Sequence, residues 1–187
     1  MRSTSAHSGV CRDRLPAVSD AFPDRSMEHR DKIAWMIETN GWALEAIPVR
    51  PDLDPPRPGY AYTIGFESSF AFPEVVVFGL APVAAKGLLG LVADVLADGS
   101  AVPVGPLFVG LLDNGLRSAL LPVDLEAYGE LFDTAARWHE GEPFRVVQLA
   151  WPDRNGWLPW ESGYDRRLLL AQPVLDSLDE LEGFEES

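Results

Sequence analysis

The sequence predicts a single α+β domain, in which helices pack against a mainly antiparallel sheet. Strand-like and helix-like segments follow one another as helix, three strands, helix, hairpin, helix and strand. A doubly wound parallel sheet would need a stricter alternation of strand and helix. The residues Asp113-Asn114-Gly115 stand between two apolar segments and are typical of an antiparallel hairpin connection. With 187 residues, of which 47% are hydrophobic, the chain is long enough for one well-filled core.

The segments in the first half of the chain are assigned from their periodicity. Apolar side chains recur at helical spacing before Asn40-Gly41, a pair that favours a left-handed helix cap. Further on, a valine-rich apolar run predicts a central strand covered on both faces. Pro82 then suits the first turn of a helix with an apolar stripe. The predicted elements are a helix at 28–39, strands at 42–49 and 60–66 around a proline-rich loop at 51–59, a strand at 75–80 and a helix at 82–98.

The second half of the chain is predicted to contain a hairpin, a helix and a last strand. Asp124 suits the N-cap of a helix that ends at Trp138, because a carboxylate there accepts a hydrogen bond from the first turn. The apolar stripes of the two later helices predict that both pack against one common sheet. The strands of that sheet are predicted at 75–80, 107–112, 117–122 and 144–150, with helices at 82–98 and 124–138.

Both ends of the chain are predicted to lie outside the folded domain, which spans residues 21–175. Residues 1–20 mix Ser, Arg, His and Pro without hydrophobic periodicity, and we expect a flexible N-terminal tail. From Asp176 onward the chain carries six acidic residues and no basic one, which predicts an acidic C-terminal tail at 176–187.

Composition excludes several classes of partner and location. No run approaches the roughly 20 apolar residues of a membrane-spanning helix, so no membrane partner is predicted. The N-terminus lacks the pattern of a secretory signal, and a single cysteine, Cys11, suits a reducing compartment. We therefore expect a soluble cytoplasmic protein. The formal net charge of −14 argues against nucleic acid, because binding to phosphates needs clustered Lys and Arg.

Four short motifs stand out along the chain. They are Gly41-Trp42, Tyr62-Thr63-Ile64-Gly65, Pro73-Glu74 and Gln148-x-x-Trp151-Pro152-Asp153-x-x-Gly156-x-x-Pro159-Trp160-Glu161. Together they resemble an uncharacterised bacterial family, domain of unknown function 4262, and the resemblance covers about residues 27–173. Members often carry His before the Pro-Glu pair, where this chain has Phe72. The resemblance implies a shared fold and no known activity.

The common metal, nucleophile and phosphate motifs are not found in the sequence. His29 and His139 are far apart, and neither an H-x-x-x-H nor a C-x-x-C spacing occurs. Ser68-Ser69 has no G-x-S-x-G context, and no glycine-rich phosphate loop follows a strand. We therefore predict no metal and no cofactor.

Carboxylates are the remaining candidates for chemistry. The predicted catalytic residues are Glu74, Asp153 and Glu161, of which one would carry the proton traffic of acid–base catalysis. Each also has a structural alternative. Glu74 can cap the end of a strand, Asp153 can start an Asx turn, and Glu161 can pair with Arg145 or Arg166.

The Trp-rich segment, residues 148–161, supplies the candidate binding surface. It contains three of the six tryptophans of the chain, and each such ring offers a large flat area with one N–H. We expect Trp151 and Trp160 to be mostly buried and Trp157, after Asn155-Gly156, to be the more exposed. The hypothesis places all the candidates in one concavity beside the sheet, with ligand-binding residues Tyr62, Gln148, Trp151 and Trp157.

Three classes of function follow from these residues. The first is an accessory or interaction domain that binds a protein, a peptide or a small-molecule ligand through the Trp-rich segment. The second is a small carboxylate-dependent enzyme of hydrolase, cyclase or isomerase type that acts on an organic metabolite. The third is a domain that binds a planar cofactor such as a flavin against its aromatic rings, although no fingerprint supports one. Whether the chain is an enzyme, and whether it forms a homodimer, stays open.

Overall fold

The computed structural model describes residues 27–175, which build one six-stranded sheet. The spatial order of its strands is β1-β2-β3-β6-β5-β4, and only the central pair β3 and β6 is parallel. This arrangement confirms the predicted α+β class and the mainly antiparallel sheet. The predicted N-terminal tail at 1–20, the predicted domain start at residue 21 and the whole acidic tail at 176–187 lie outside the described residues. The strands are β1 Ala43–Ile47, β2 Tyr60–Ile64, β3 Glu74–Phe78, β4 Leu107–Val109, β5 Arg117–Pro122 and β6 Val146–Ala150.

Helices cover both faces of the sheet. Helices α1 and α5 lie on the first face, where Ile33 and Ala135 join a cluster with Tyr62 and Val76 of the strands. Helix α3 lies on the second face, where Leu89 packs with Val75 and Val77 among others. The two apolar stripes predicted from the sequence are therefore both buried against one sheet. The helices are α1 His29–Asn40, α2 Phe66–Phe70, α3 Pro82–Ala97, α4 Leu125–Tyr128 and α5 Asp133–Trp138.

The apolar composition of the central strands is explained by the helices on both faces of the sheet. All five residues of β3 and all five of β6 are buried. Side chains alternate across a strand, so Val75 and Val77 reach the second face, and Val76 and Phe78 reach the first. The valine-rich run therefore forms the central strand that its composition predicts, covered on both sides.

Two predicted caps and the predicted turn are confirmed. Gly41 ends α1 with a left-handed backbone at φ 82°, and its N–H donates to the carbonyl of Ile37. The Asp124 side chain accepts a hydrogen bond from the N–H of Glu126 at the start of α4. Asn114 and Gly115 both have positive φ, at 61° and 68°. Strand β4 is shorter than predicted, because Gly110 at φ 118° turns the chain away after Val109.

The predicted helix at 124–138 is wrong as one continuous element. The chain instead forms α4, a 3-10 turn at Gly129–Phe132 and then α5. Gly129 is a poor helix former, and the tighter turn brings the adjacent Leu131 and Phe132 into the core together. Helix α2 is a second difference, since the prediction left Ser68-Ser69 in a loop. Its rings Phe66 and Phe70 are one helical turn apart and pack edge to face at 5.2 Å.

The chain after β6 has little regular structure and returns over the first face of the sheet. Its last described residues, 173–175, lie beside β6, where Gln148 of that strand binds them. The Gln148 amide donates to the carbonyl of Pro173 at 2.6 Å and accepts from the N–H of Leu175 at 2.8 Å. Among residues 27–175, no helix is long and apolar enough to cross a membrane.

Candidate functional site

The Glu74 carboxylate joins two of the family-like motifs. It accepts hydrogen bonds from the Thr63 hydroxyl at 2.7 Å and from the N–H groups of Gly65 at 2.8 Å and Phe66 at 3.1 Å. The Thr63 hydroxyl oxygen in turn accepts from the N–H of Val75 at 2.8 Å. Glu74 is fully buried, and these three donors satisfy its side-chain oxygens. The motif residues therefore fix the turn between β2 and α2 against the start of β3.

His139, which the sequence prediction did not include, approaches the same carboxylate. Its Nε2 atom lies 3.5 Å from Oε1 of Glu74, and this nitrogen is buried without a hydrogen-bond partner among the described residues. The imidazole stacks on Phe144 at 4.7 Å with an interplanar angle of 8°. Nothing in the sequence indicated this pair, because 65 positions separate the two residues and no spacing motif links them.

Glu67 holds the same corner of the molecule together. Its carboxylate accepts from the main-chain N–H of Arg145 at 3.0 Å and from the guanidinium Nε at 2.9 Å. The guanidinium hydrogen bond is the largest reason that the pKa of Glu67 is lowered, against an opposing effect of burial. Arg145 is therefore paired with Glu67 and not with Glu161 as the sequence suggested.

Asp153 organises the loop after β6. Its Oδ1 atom accepts from the N–H groups of Asn155 at 2.8 Å and Trp157 at 3.0 Å, and its Oδ2 accepts from the N–H of Asp165 at 3.0 Å. Burial opposes ionisation of this carboxyl, but the three main-chain donors outweigh burial and lower its pKa. The first of these bonds is the Asx turn proposed as its structural alternative.

Glu161 closes the far side of the same loop. Its carboxylate forms a two-pronged ion pair with Arg117, at 2.7 and 2.8 Å, and accepts from the N–H of Leu158 at 2.7 Å. The partner is therefore an arginine of β5, and neither Arg145 nor Arg166, which the sequence suggested. The same guanidinium donates to the carbonyl of Gly156 at 3.0 Å, so one side chain supports both ends of the turn.

The tryptophans of the segment differ in environment. Trp151 is half-buried, and its indole N–H donates to the carbonyl of Phe78 at the end of β3 at 2.9 Å. Trp160 is also half-buried and packs beside Leu121. Trp157 is 42% exposed, as predicted the most exposed of the three, and lines a cavity of about 300 Å³ with Arg117. A Cβ added to Gly163 would lie 2.4 Å from this indole, so the ring rests directly on the main chain there.

Tyr62 is part of the core. Its side chain is only 1% exposed, and its ring meets Phe132 edge to face at 5.3 Å. Burial raises its pKa to about 12, so the phenol stays protonated at neutral pH. Gln148 lies beside the same strand position, since both residues pair with Val76, and segment 173–175 covers it.

The structure does not bring all the predicted site residues into one concavity. Glu74 pairs with Val146 at the start of the parallel strands, whereas Asp153 follows the end of β6 by three residues. At about 3.3 Å per residue, the seven positions from Val146 to Asp153 place the two carboxylates at opposite ends of the sheet. Trp151, Trp157 and Glu161 lie at the Asp153 end. The catalytic and binding roles assigned to these residues stay predictions.

A further cavity lies elsewhere and is lined by none of the predicted site residues. It has a volume of about 750 Å³ and opens where β3 ends and α3 begins. The proline-rich loop forms one wall, and Arg167, Leu170 and Ala171 of the segment 167–171 form another. We call it the proline cavity; among its lining residues are Ile47, Pro48, Pro55, Pro56, Arg57, Pro58, Gly79, Leu80, Pro82, Arg167, Leu170 and Ala171.

Within residues 27–175, no group of three or more His, Cys, Asp or Glu side chains could hold a metal ion. A family model described as "Domain of unknown function (DUF4262)" matches residues 36–165 of the chain. Searches of the curated proteins and of the solved structures find no match.

Proposed function

We propose that this chain, which belongs to the domain of unknown function 4262 family, is a ligand-binding domain whose ligand occupies the proline cavity. The ligand is a small and mainly apolar molecule that carries an acidic group. The observation that carries this proposal is the cavity itself. Its volume of about 750 Å³ is within the usual range of roughly 300–1,000 Å³ for small-molecule sites.

The position of the cavity supports a binding role. Gly79 and Leu80 line it directly after β3, one of the two parallel strands. In open sheets with parallel strands, ligands bind in the crevice outside the carboxyl ends of those strands, because the connections diverge there. The cavity lies outside the carboxyl end of β3 in the present fold.

Main-chain contacts hold the cavity walls in place. Arg50 and Arg57 exchange two hydrogen bonds across the proline-rich loop, at 2.9 and 3.0 Å. The N–H of Gly79 donates to the carbonyl of Gly59 at 3.0 Å, which fastens the loop to the end of β3. Prolines restrict the loop further, since each fixes its own φ. A cavity with such walls is formed before a ligand arrives, which lowers the entropy cost of binding.

The chemistry of the lining suggests the class of ligand. Prolines and aliphatic side chains form most of the wall, and these suit an apolar body. Arg57 and Arg167 add two guanidinium groups, which Glu130 and Asp165 hold by hydrogen bonds of 2.8 and 2.6 Å. A guanidinium has five N–H donors, so each arginine keeps donors for an acidic group.

A fluorescent probe with this chemistry tests the proposal. 1-Anilinonaphthalene-8-sulfonate joins an aromatic body to an acidic group, and its emission rises in apolar sites. Leu170 lines the cavity and is 87% exposed, so Leu170→Asp should leave folding intact while lowering the affinity for the probe by about tenfold. Decanoate, which also has an apolar body and an acidic group, should displace the probe.

Val83→Asp is the matched control. Val83 is also 87% exposed and follows Pro82, but it does not line the cavity. The same new charge there should leave the affinity for the probe unchanged. Equal affinity in the unmodified chain and both variants, or a failure of decanoate to compete, contradicts the proposal.

The Trp-rich segment is the alternative place for a ligand. Its favouring observation is the smaller cavity of about 300 Å³ in which the exposed Trp157 faces Arg117 and Asn155. Trp157→Ala separates the two locations. Loss of probe binding in this variant, with normal binding by Leu170→Asp, would move the ligand to the Trp-rich segment.

A carboxylate-dependent enzyme is the second candidate function, and the approach of His139 to Glu74 favours it. The distance of 3.5 Å between Nε2 and Oε1 brings an acid–base pair together. Neither side chain lines the proline cavity, so this function would need another route for substrate. Retention of probe binding by Glu74→Gln, together with loss of a hydrolase, cyclase or isomerase activity found in the unmodified chain, would support the enzyme.

A further inference from the structure

A separate cavity between helices α1 and α5 has a basic lining. Its volume is about 350 Å³, and Ile33 and Trp138 form its apolar walls. Thr134 adds a hydroxyl group. The basic groups that line it are His29, Arg30 and Arg137. This is a local concentration of basic side chains on a chain whose formal net charge is −14.

Among the three basic side chains of this cavity, Arg137 is the one without an acidic partner within the described residues. Its guanidinium donates to the Thr134 hydroxyl at 3.4 Å, which is a long contact to a neutral group. Six other arginines of the described chain lie within 4.0 Å of a carboxylate. Arg154 and Arg166 have no such pair within residues 27–175 either, but neither of them lines this cavity.

The other polar side chains of the cavity each contact a carboxylate. His29 Nε2 lies 3.0 Å from Oε2 of Glu45, and the Thr134 hydroxyl donates to Oε1 of the same side chain at 3.3 Å. Arg30 is bonded to Glu140, and its guanidinium carbon lies 5.8 Å from the centre of the Trp138 ring. These contacts fix the cavity walls and leave the guanidinium of Arg137 as the group available to an anion.

We propose that the α1–α5 cavity binds a small organic phosphate with a planar ring. A phosphate accepts the paired N–H donors of the Arg137 guanidinium, which match two of its oxygens in geometry. The neighbouring Arg30 also lines the cavity, but its charge is paired with that of Glu140. The ring lies against the indole of Trp138, and a volume of about 350 Å³ has room for one ring and one phosphate.

Calorimetric titration of the full chain with phenyl phosphate tests this inference. We expect saturable binding that weakens as salt is added, because charge attraction is screened. Arg137→Gln should lower the affinity by at least about tenfold, since a charged hydrogen-bonding group is lost. Arg154→Gln is the matched control, because Arg154 is exposed, lies outside this cavity and carries the same charge. That variant should bind phenyl phosphate like the unmodified chain.

Two further probes test the parts of the proposed ligand. Inorganic phosphate should bind more weakly than phenyl phosphate, since it cannot contact Trp138, and benzoate should bind more weakly because its charge is smaller. Equal binding by Arg137→Gln and the unmodified chain, or no saturation with phenyl phosphate, overturns the site. Benzoate binding as tightly as phenyl phosphate overturns the choice of phosphate, and inorganic phosphate binding as tightly overturns the role of the ring.

Discussion

Glu74, Asp153 and Glu161 share one property at the scale of single residues, because each carboxylate accepts hydrogen bonds from main-chain N–H groups. Glu74 receives two such bonds, Asp153 three and Glu161 one. A carboxylate can accept about four hydrogen bonds and donates none when ionised, so it suits turns with several unpaired N–H groups. The acidic motif residues are therefore explained in large part by the turns that they stabilise.

Glu74→Gln is expected to destabilise the fold. The amide that replaces one carboxylate oxygen is a donor, and it would face either the Gly65 N–H or the Thr63 hydroxyl and Phe66 N–H. A buried donor left without an acceptor costs about 1–3 kcal/mol, and we expect a loss of about 2–3 kcal/mol in the free energy of unfolding from urea melts. Glu38→Gln, at an exposed position of α1, should change it by less than about 0.5 kcal/mol. Equal stability of the two variants would leave Glu74 free for chemistry.

Asp153 is expected to make stability dependent on pH in the acid range. The folded state lowers the pKa of this carboxyl, whereas unfolded Asp titrates at about 3.9. The stabilisation is therefore complete above that value and is lost as the pH falls through it toward the folded pKa. Urea melts from pH 6 to pH 3 should show Asp153→Asn less stable than the unmodified chain at pH 6, with a difference that shrinks toward pH 3. A difference that stays constant with pH would contradict this interpretation; the exposed Asp98→Asn is the control.

At this scale, the sequence identified candidate residues, but it did not identify the groups that these residues contact. Tyr62 and Gln148 were predicted to face a ligand, but both are buried under other parts of the chain. His139 and Arg117 could not be found as partners, because each is distant in sequence from the carboxylate that it contacts. Residue type indicates what a side chain can bond to, and only the packed sheet determines which group comes within reach.

At the scale of elements, hydrophobic periodicity located the strands and the long helices and failed where tertiary packing prevailed. All the predicted strands exist, and α3 ends one residue before its predicted end. The predicted helix at 124–138 broke at Gly129, because packing of Leu131 and Phe132 in the core outweighed continuous helical hydrogen bonding. Helix α2 has only five residues, which is too short for a periodic signal.

Substitution by alanine should change the stability of the fold in opposite directions at two glycines that lie at element ends. Gly129 has a right-handed backbone, and a Cβ there would meet no atom within 4 Å. Gly129→Ala should therefore raise the free energy of unfolding by about 0.4–1 kcal/mol. Gly79 has φ +75°, and a Cβ there would lie 2.8 Å from the carbonyl oxygen of Ala171. Gly79→Ala should therefore destabilise by more than about 1 kcal/mol in thermal or urea melts. The same sign for both changes would contradict this account of the backbone and of the space at the two glycines.

At the scale of the whole molecule, the sheet order decides where a ligand can bind. Strands β3 and β6 are parallel, so their carboxyl ends meet at one edge, and the proline-rich loop and residues 167–171 converge there. These two walls are more than 100 positions apart in the sequence. The sequence predicted the first segment as a loop and assigned no element to the second, and their approach depends on strand order, which periodicity does not encode. The proline cavity was for this reason absent from the sequence prediction.

Gln172→Ala is expected to affect stability and the proline cavity together. Gln172 is fully buried, and its amide accepts from the N–H of Trp151 at 2.9 Å and donates to the carbonyl of Trp151 at 3.0 Å and to the Tyr164 hydroxyl at 2.8 Å. Loss of these bonds leaves the main-chain N–H and carbonyl of the half-buried Trp151 without these partners, and we expect a loss of about 2–3 kcal/mol in the free energy of unfolding. Because Gln172 follows the wall formed by residues 167–171, the affinity for 1-anilinonaphthalene-8-sulfonate should also fall. Ser162→Ala, at an exposed position of the same chain segment, should change neither quantity. A destabilised Gln172→Ala variant that binds the probe with unchanged affinity would show that this anchor does not maintain the cavity.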